Sequence, residues 1–297
     1  MKVGLAEYTV RDAMEEDPFG ALKKIASAGY KYIEWANFNA DRDPGTGLGI
    51  SANDLNKALA DLGMTLTGAL LLPHDPQNDL DSFFCDFDNF KRIVEYYTQA
   101  HGGTLSVTVD FFPDMPGLLK RCDVYNKLGR ICNEAGMRLM YHNHFQEFQR
   151  IGGRFILDHI LENTDAKYLG IELDAYWLIR GMNDPAKTIR KYGKTGRVDS
   201  LHAKDFPLSM CNHLNIWNKV DQDKPIKNWA EFRAPIAPEH FIEVGEGIVK
   251  IQDVIDAGNE LNIPYIFVEQ DSTVRDQIES VGISIANMKK MRGLEWD

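Results

Sequence analysis

Four short stretches in the second half of the chain concentrate side chains that bind cations or carry protons: Tyr141-His-Asn-His-Phe-Gln-Glu147, Glu172-Leu-Asp174, His202-Ala-Lys-Asp205 and Glu269-Gln-Asp271. Each lies at the end of an apolar run that reads as a buried strand. Side chains two apart on a strand share a face, so His142 points with His144, Glu172 with Asp174, and His202 with Lys204. Position near the strand ends favours Asp174, His202 and Glu269 as metal ligands. A set of three carboxylates and one imidazole suits Mn²⁺ or Mg²⁺, with Zn²⁺ and Co²⁺ also accommodated. Structural zinc is disfavoured, because no cysteine accompanies the cluster. A divalent ion there would polarise a carbonyl and stabilise an enediolate while a carboxylate moves the proton on the adjacent carbon. Lys204, pointing the same way, is expected to bind a substrate oxygen or act as an acid. Glu172 is expected one layer deeper, as support that needs a buried partner. Asp205, followed by Phe-Pro, suits a cap or ion pair as well as a site role.

Residues this far apart in sequence meet only if the strands converge at one end. Eight apolar runs supply such strands: approximately Lys2 to Tyr8, Tyr30 to Trp35, Thr65 to Leu71, Thr104 to Val109, Arg138 to His144, Tyr168 to Asp174, Val198 to Lys204 and Tyr265 to Glu269. Between them lie helical patterns that stop at glycine and lead directly into the next strand, as in FGALKKIASAGYKYIEW, LNKALADLGMTLTGALL and YNKLGRICNEAGMRLMY. Eight right-handed crossovers close on themselves, so a single (β/α)₈ barrel is the expected α/β fold, with a doubly wound sheet as the alternative. Residues 1–297 then form one domain. About residues 206–241 break the spacing, with Trp217, Trp229 and four prolines. That stretch reads as a long loop after the seventh strand, on the face where a barrel builds its site, and so as a lid or an oligomer contact. Trp35, His74 and Asp110, at the ends of the second to fourth strands, could line the same mouth, although structural roles are the commoner reading.

Composition narrows the partners. A length of 297 residues with 44% hydrophobic content supports a sizeable core. No apolar run approaches the roughly 20 residues that cross a bilayer, and the opening MKVGLAEYTV lacks a basic, apolar leader, so no membrane partner and a cytoplasmic location are expected. A formal charge of −11 without a basic cluster argues against nucleic acid. Cys85, Cys122, Cys132 and Cys211 have no C-x-x-C spacing and read as buried thiols.

The motifs YHNHFQEF, GIELDAYW, LHAKDF, VGEGIV and FVEQD occur in an order that resembles the xylose isomerase-like sugar phosphate isomerase/epimerase superfamily, and the resemblance runs from GLAEYTVRD to the final helix. It implies a TIM barrel that holds one divalent metal, Mn²⁺ foremost, through Glu, Asp, His and Glu at the ends of strands five to eight, with two glutamates doubling as acid and base. Asp174, His202 and Glu269 match three positions. For the fourth, where many members carry a glutamate in the strand itself, this chain has His142, and Glu147 is the nearest carboxylate. The YHNH-x-x-EF pattern implies that Glu147 folds back to the metal, leaving His142 and His144 to the substrate. Many relatives also place a histidine where this chain has Trp177, which suggests a stacking surface for a sugar ring.

The resemblance implies a small carbohydrate substrate and a homodimer or homotetramer. Four activities compete. A sugar isomerase or epimerase working through an enediolate comes first, and an inosose or keto-sugar dehydratase would use the same ligands. A phosphodiesterase of the endonuclease IV type needs more histidines than the eight scattered here. A non-catalytic sugar-binding barrel would be expected to lose the acid/base carboxylates. Without a phosphate-gripping loop near the seventh and eighth strands, a non-phosphorylated substrate is favoured.

Overall fold

The computed structural model describes residues 1–75 and 80–296. Eight strands form a closed, wholly parallel barrel: β1 (Lys2–Ala6), β2 (Tyr32–Asn37), β3 (Thr65–Leu71), β4 (Thr104–Val107), β5 (Arg138–His142), β6 (Leu169–Asp174), β7 (Val198–Ala203) and β8 (Tyr265–Val268). Each pairs with its neighbours in sequence, and β8 returns to β1 through Lys2 opposite Tyr265. All eight expected runs are strands, so closure follows from chain order alone. Outward-facing Leu, Ile and Val side chains of the strands pack under the surrounding helices as one continuous core.

The connections set where each strand delivers its end. Helices begin at side-chain caps: Asp17, Ser51, Asp86, Asp114, Asp184 and Asp276 each accept from a backbone N–H in the first turn. Two ladder irregularities among the described strands place one extra residue on the partner strand, Thr67 of β3 beside Ile33 and Glu34 and Asp199 of β7 beside Ile171 and Glu172.

The stretch after β7 is a folded roof rather than an irregular loop. It contains short helical turns at Leu208–His213, Ile216–Asn218, Trp229–Arg233 and Pro238–His240. Gln149 fastens it from below, donating to the carbonyls of Asp221 and Lys224 at 2.8 Å and accepting from Ile226 N–H at 2.9 Å. Arg180, fully buried, donates to the carbonyls of Leu214 and Pro235. Asp205, also buried, accepts four backbone N–H groups, from Phe206, Gly245, Gly247 and Val249, at 2.8–3.0 Å. This carboxylate therefore clamps VGEGIV against the end of β7, and the cap-like role suggested by its Phe-Pro context extends to a whole turn.

Two of the four cysteines depart from expectation. Cys122 and Cys132 are buried on one helix, whereas Cys85 and Cys211 are exposed on short helical turns. Among the described residues no helix is long and apolar enough to cross a membrane.

Candidate functional site

Strand alternation carries Glu172 and Asp174 from β6, His202 from β7 and His142 from β5 into the barrel, where one donor atom from each of His142, Asp174, His202 and Glu269 lies within 4.8 Å of the others. Asp174 shows how the site is assembled from ordinary local structure. As the cap of helix Ala175–Arg180, its Oδ1 accepts from Tyr176 N–H at 2.8 Å and Trp177 N–H at 3.1 Å. Its Oδ2 is buried without a hydrogen-bond partner; His142 Nε2 stands 3.9 Å away and Lys204 Nζ 3.3 Å. An unpartnered, buried carboxylate oxygen facing two imidazoles and a second carboxylate is a donor set that a divalent ion fits.

The charge balance points the same way. Two buried carboxylates, Asp174 and Glu269, and the half-buried Asp271 surround the ammonium of Lys204, while the buried Glu34 and Glu172 lie against the imidazoles of His202 and His142. Lys204 Nζ is 2.7 Å from Asp271 Oδ1 and 2.8 Å from Glu269 Oε2. Burial alone would lower its pKa, but Asp271, Glu269 and Asp174 hold it well above the usual lysine value. Burial likewise opposes ionisation of Glu269, yet Lys204 and His202 keep its carboxyl well below the ordinary range. Asp271 moves the other way, raised by burial and by the Glu269 charge against the pull of Lys204. Burial pushes His144 far below its normal value, with His142 and Lys204 adding to the effect, so it is a neutral imidazole.

Beneath this layer lies a second one. His202 Nδ1 is 2.8 Å from Glu269 Oε2, while Nε2 is 2.9 Å from Glu34 Oε2. Glu172 accepts from the hydroxyls of Ser200 at 2.5 Å and Ser106 at 3.2 Å and lies 3.4 Å from both His142 Nδ1 and His202 Nε2. Burial raises Glu34 to about 8, reinforced by the neighbouring Glu172 carboxylate.

A cavity of about 560 Å³ opens onto the upper layer, lined by His142, His144, Glu269, Asp271, Tyr8, Arg11 and His74 and by an apolar wall that includes Leu72, Val109, Phe232 and Phe241. The roof supplies Trp229, Phe232, Arg233 and Ile236 to Pro238.

Measured against the sequence expectations, the structure brings Asp174, His202 and Glu269 together but puts His142 where Glu147 was expected. The Glu147 carboxylate is fully committed elsewhere: Oε1 accepts from Tyr141 O–H at 2.6 Å and Oε2 from His144 N–H at 2.7 Å. Tyr141 faces outward, packed on Tyr125 and Phe112. The turn Gln146–Phe148 thus carries Glu147 behind β5, outside the cluster and outside the cavity lining. Trp35 also points away, since Glu34 takes the inward position of β2; its Nε1 donates to Thr46 C=O at 2.8 Å. Trp177 stands one layer back from the cavity, 5.0 Å from His144 between ring centres and 5.3 Å from Lys204 Nζ. Lys204 sits behind Glu269 and Asp271 rather than on the surface of the cavity. His142 and His144 do line it. Glu34 and Arg11 went unnoticed in the sequence; a glutamate inside the apolar run YIEWA is a signal that could have exposed Glu34, because a carboxylate buried in a strand must find a partner.

Comparison with known proteins agrees with this architecture. An inosose dehydratase from Geobacillus thermodenitrificans (strain NG80-2) is 25% identical over 160 residues, 53% of this chain and 49% of that protein. A Clostridium beijerinckii inosose dehydratase is 22% identical over a similar stretch, so the chain spans about half the length of the curated relatives it matches. Among solved structures, a sugar phosphate isomerase/epimerase from Parabacteroides distasonis ATCC 8503 superposes with a TM-score of 0.78 at 21% identity, covering 99% of this chain and 95% of that one. The IOLI protein with a bound zinc atom superposes with a TM-score of 0.69 at 14% identity, covering 98% and 97%. The model of the xylose isomerase-like TIM barrel family matches residues 22–290, and the chain belongs to that family.

Proposed function

We propose that the protein is a metal-dependent isomerase or epimerase of a non-phosphorylated ketose or keto-sugar, with His142, Asp174, His202 and Glu269 as the ligands. The observation that carries this reading is the buried Oδ2 of Asp174, which makes no hydrogen bond and lies among those donors next to an open cavity lined by His142 and Glu269. A bound Mn²⁺ or Zn²⁺ ion would supply electrophilic polarisation of a substrate carbonyl. Glu269, which faces the cavity, is the carboxylate in position to take the proton from the adjacent carbon. Asp271, on the same wall and bonded to Lys204, is placed to exchange a proton with a substrate hydroxyl, and the ammonium behind it holds both carboxylates in place. His144, a neutral donor or acceptor, orients the hydroxyls, while the roof excludes water. The apolar wall and the near absence of basic side chains other than Arg11 and Arg233 disfavour a phosphate.

A second reading, dehydration of an inosose or keto-sugar, is favoured by the names of the curated relatives. The same proton abstraction beside a leaving hydroxyl expels water. Manganese-loaded protein incubated in D₂O with ketoses, keto-glycosides and inososes, followed by NMR, separates the two. Deuterium next to the carbonyl with all hydroxyls retained supports isomerisation; loss of a hydroxyl supports dehydration; neither outcome with any substrate refutes both. The ligand set has its own check in manganese titrations. His142→Ala is expected to weaken binding beyond the roughly 100-fold limit typical of outer partners, whereas Glu147→Gln should leave it within a few-fold of wild type.

A further inference from the structure

His202 has a carboxylate at short hydrogen-bond distance from each ring nitrogen, Nδ1 with Glu269 at 2.8 Å and Nε2 with Glu34 at 2.9 Å, whereas the carboxylates facing His142 stand at 3.4 and 3.9 Å. An imidazole can offer a lone pair to a cation only from the nitrogen that carries no proton, so one partner must fix the tautomer. We infer that Glu34 is that partner: a positioning residue that accepts the Nε2 proton of His202 and so presents Nδ1 to the cation proposed above. The inference rests on that reading of the site and extends it one layer inward.

The alternatives on the page are weaker. Glu172 is farther from Nε2, at 3.4 Å, and its two oxygens are already taken by the Ser106 and Ser200 hydroxyls. Glu269 belongs to the ligand layer and is paired with Lys204, so it cannot also serve as the outer acceptor. Glu34 has one oxygen on His202 and the other, Oε1, buried without a partner, and the residue is wholly enclosed. An acid buried in that position beside the Glu172 carboxylate is costly unless its contact with His202 matters. Strand alternation on β2 turns Glu34 inward to His202 and its neighbour Trp35 outward to the Thr46 carbonyl. A carboxylate behind a ligating imidazole orients the ring and raises its basicity, and its removal characteristically weakens metal binding about 10- to 100-fold.

The test uses zinc, which is diamagnetic, on the full chain labelled with ¹⁵N-histidine. Wild-type protein loaded with zinc should show a His202 Nε2–H proton far downfield and protected from exchange, with Nδ1 shifted as a metal-bound nitrogen. Glu34→Leu should lose that proton and bind zinc about 100-fold more weakly in chelator competition. Glu34→Gln, which keeps the shape and one acceptor oxygen, should retain a weaker downfield resonance with about 10-fold weaker binding; it decides the question should the leucine variant not fold. Zinc binding at wild-type strength in both variants overturns the role of Glu34 alone. Failure of the wild-type protein to bind zinc overturns the ligand assignment and this inference with it. A lower melting temperature with unchanged affinity identifies Glu34 as merely structural and also overturns the proposal.

Discussion

Glu7 follows β1 with its carboxyl buried and Oε2 accepting from Ala36 N–H at 3.1 Å. Burial raises its pKa from 4.5 to about 8, against the pull of that bond. Between those values the native chain keeps a proton that the unfolded chain releases. Its contribution to stability is therefore complete below about pH 4.5 and is lost as pH rises through about 8. Glu7→Gln cannot ionise, so its melting temperature should decline less than that of wild type over this window; parallel declines in differential scanning calorimetry would refute the assignment. Individual residues were also where the sequence misled. Glu147 looked like a ligand because spacing along YHNHFQEF says nothing about the path of the turn, and the turn runs outward to Tyr141. Glu34 was overlooked beside Trp35, although the two must face opposite ways on one strand. Asp174 was legible as a candidate ligand; its Oδ1 caps helix Ala175–Arg180, which leaves Oδ2 facing His142 and Lys204.

At the scale of elements the sequence was far more informative, since buried parallel strands need continuous apolar runs and these are hard to disguise. The run from Thr65 to Leu71 is a strand over those same residues, and the others differ at their ends by a few positions. The segment after β7 was recognised by its irregular spacing, but its four short helical turns were not, because they are too short to show a period and the stretches between them are fastened by Gln149 and Arg180. Helix Met115–Glu134 illustrates a packing demand. Its Gly129 lies so close to the chain entering β6 that a Cβ atom would stand 2.2 Å from the Tyr168 carbonyl oxygen. Alanine is the better helix former by about 1 kcal/mol. Gly129→Ala should nevertheless destabilise the protein by about 1–3 kcal/mol in urea unfolding, because helix and strand must separate to admit the methyl group. A gain in stability would show that this contact yields easily.

For the molecule as a whole, closure of the barrel brings acidic strand ends into one crowded mouth, where Asp174, Glu269 and Asp271 meet at Lys204 beside the imidazoles of His142 and His202, a donor set expected to favour a divalent cation. Manganese at about 100 times its dissociation constant should stabilise the fold by about 2.7 kcal/mol. At about 2–4 °C per kcal/mol the melting midpoint rises by several degrees, and EDTA should reverse the shift in calorimetry. An unchanged midpoint would argue against a site within the folded barrel. The two clasps on the roof have a consequence for recognition. Since Gln149 and Arg180 hold that segment through bonds internal to the protein, a sugar of the kind proposed above would meet a template already cut to shape. Little of its affinity is then diverted to ordering the chain, and a guest with one misplaced hydroxyl is turned away by a wall that does not adapt.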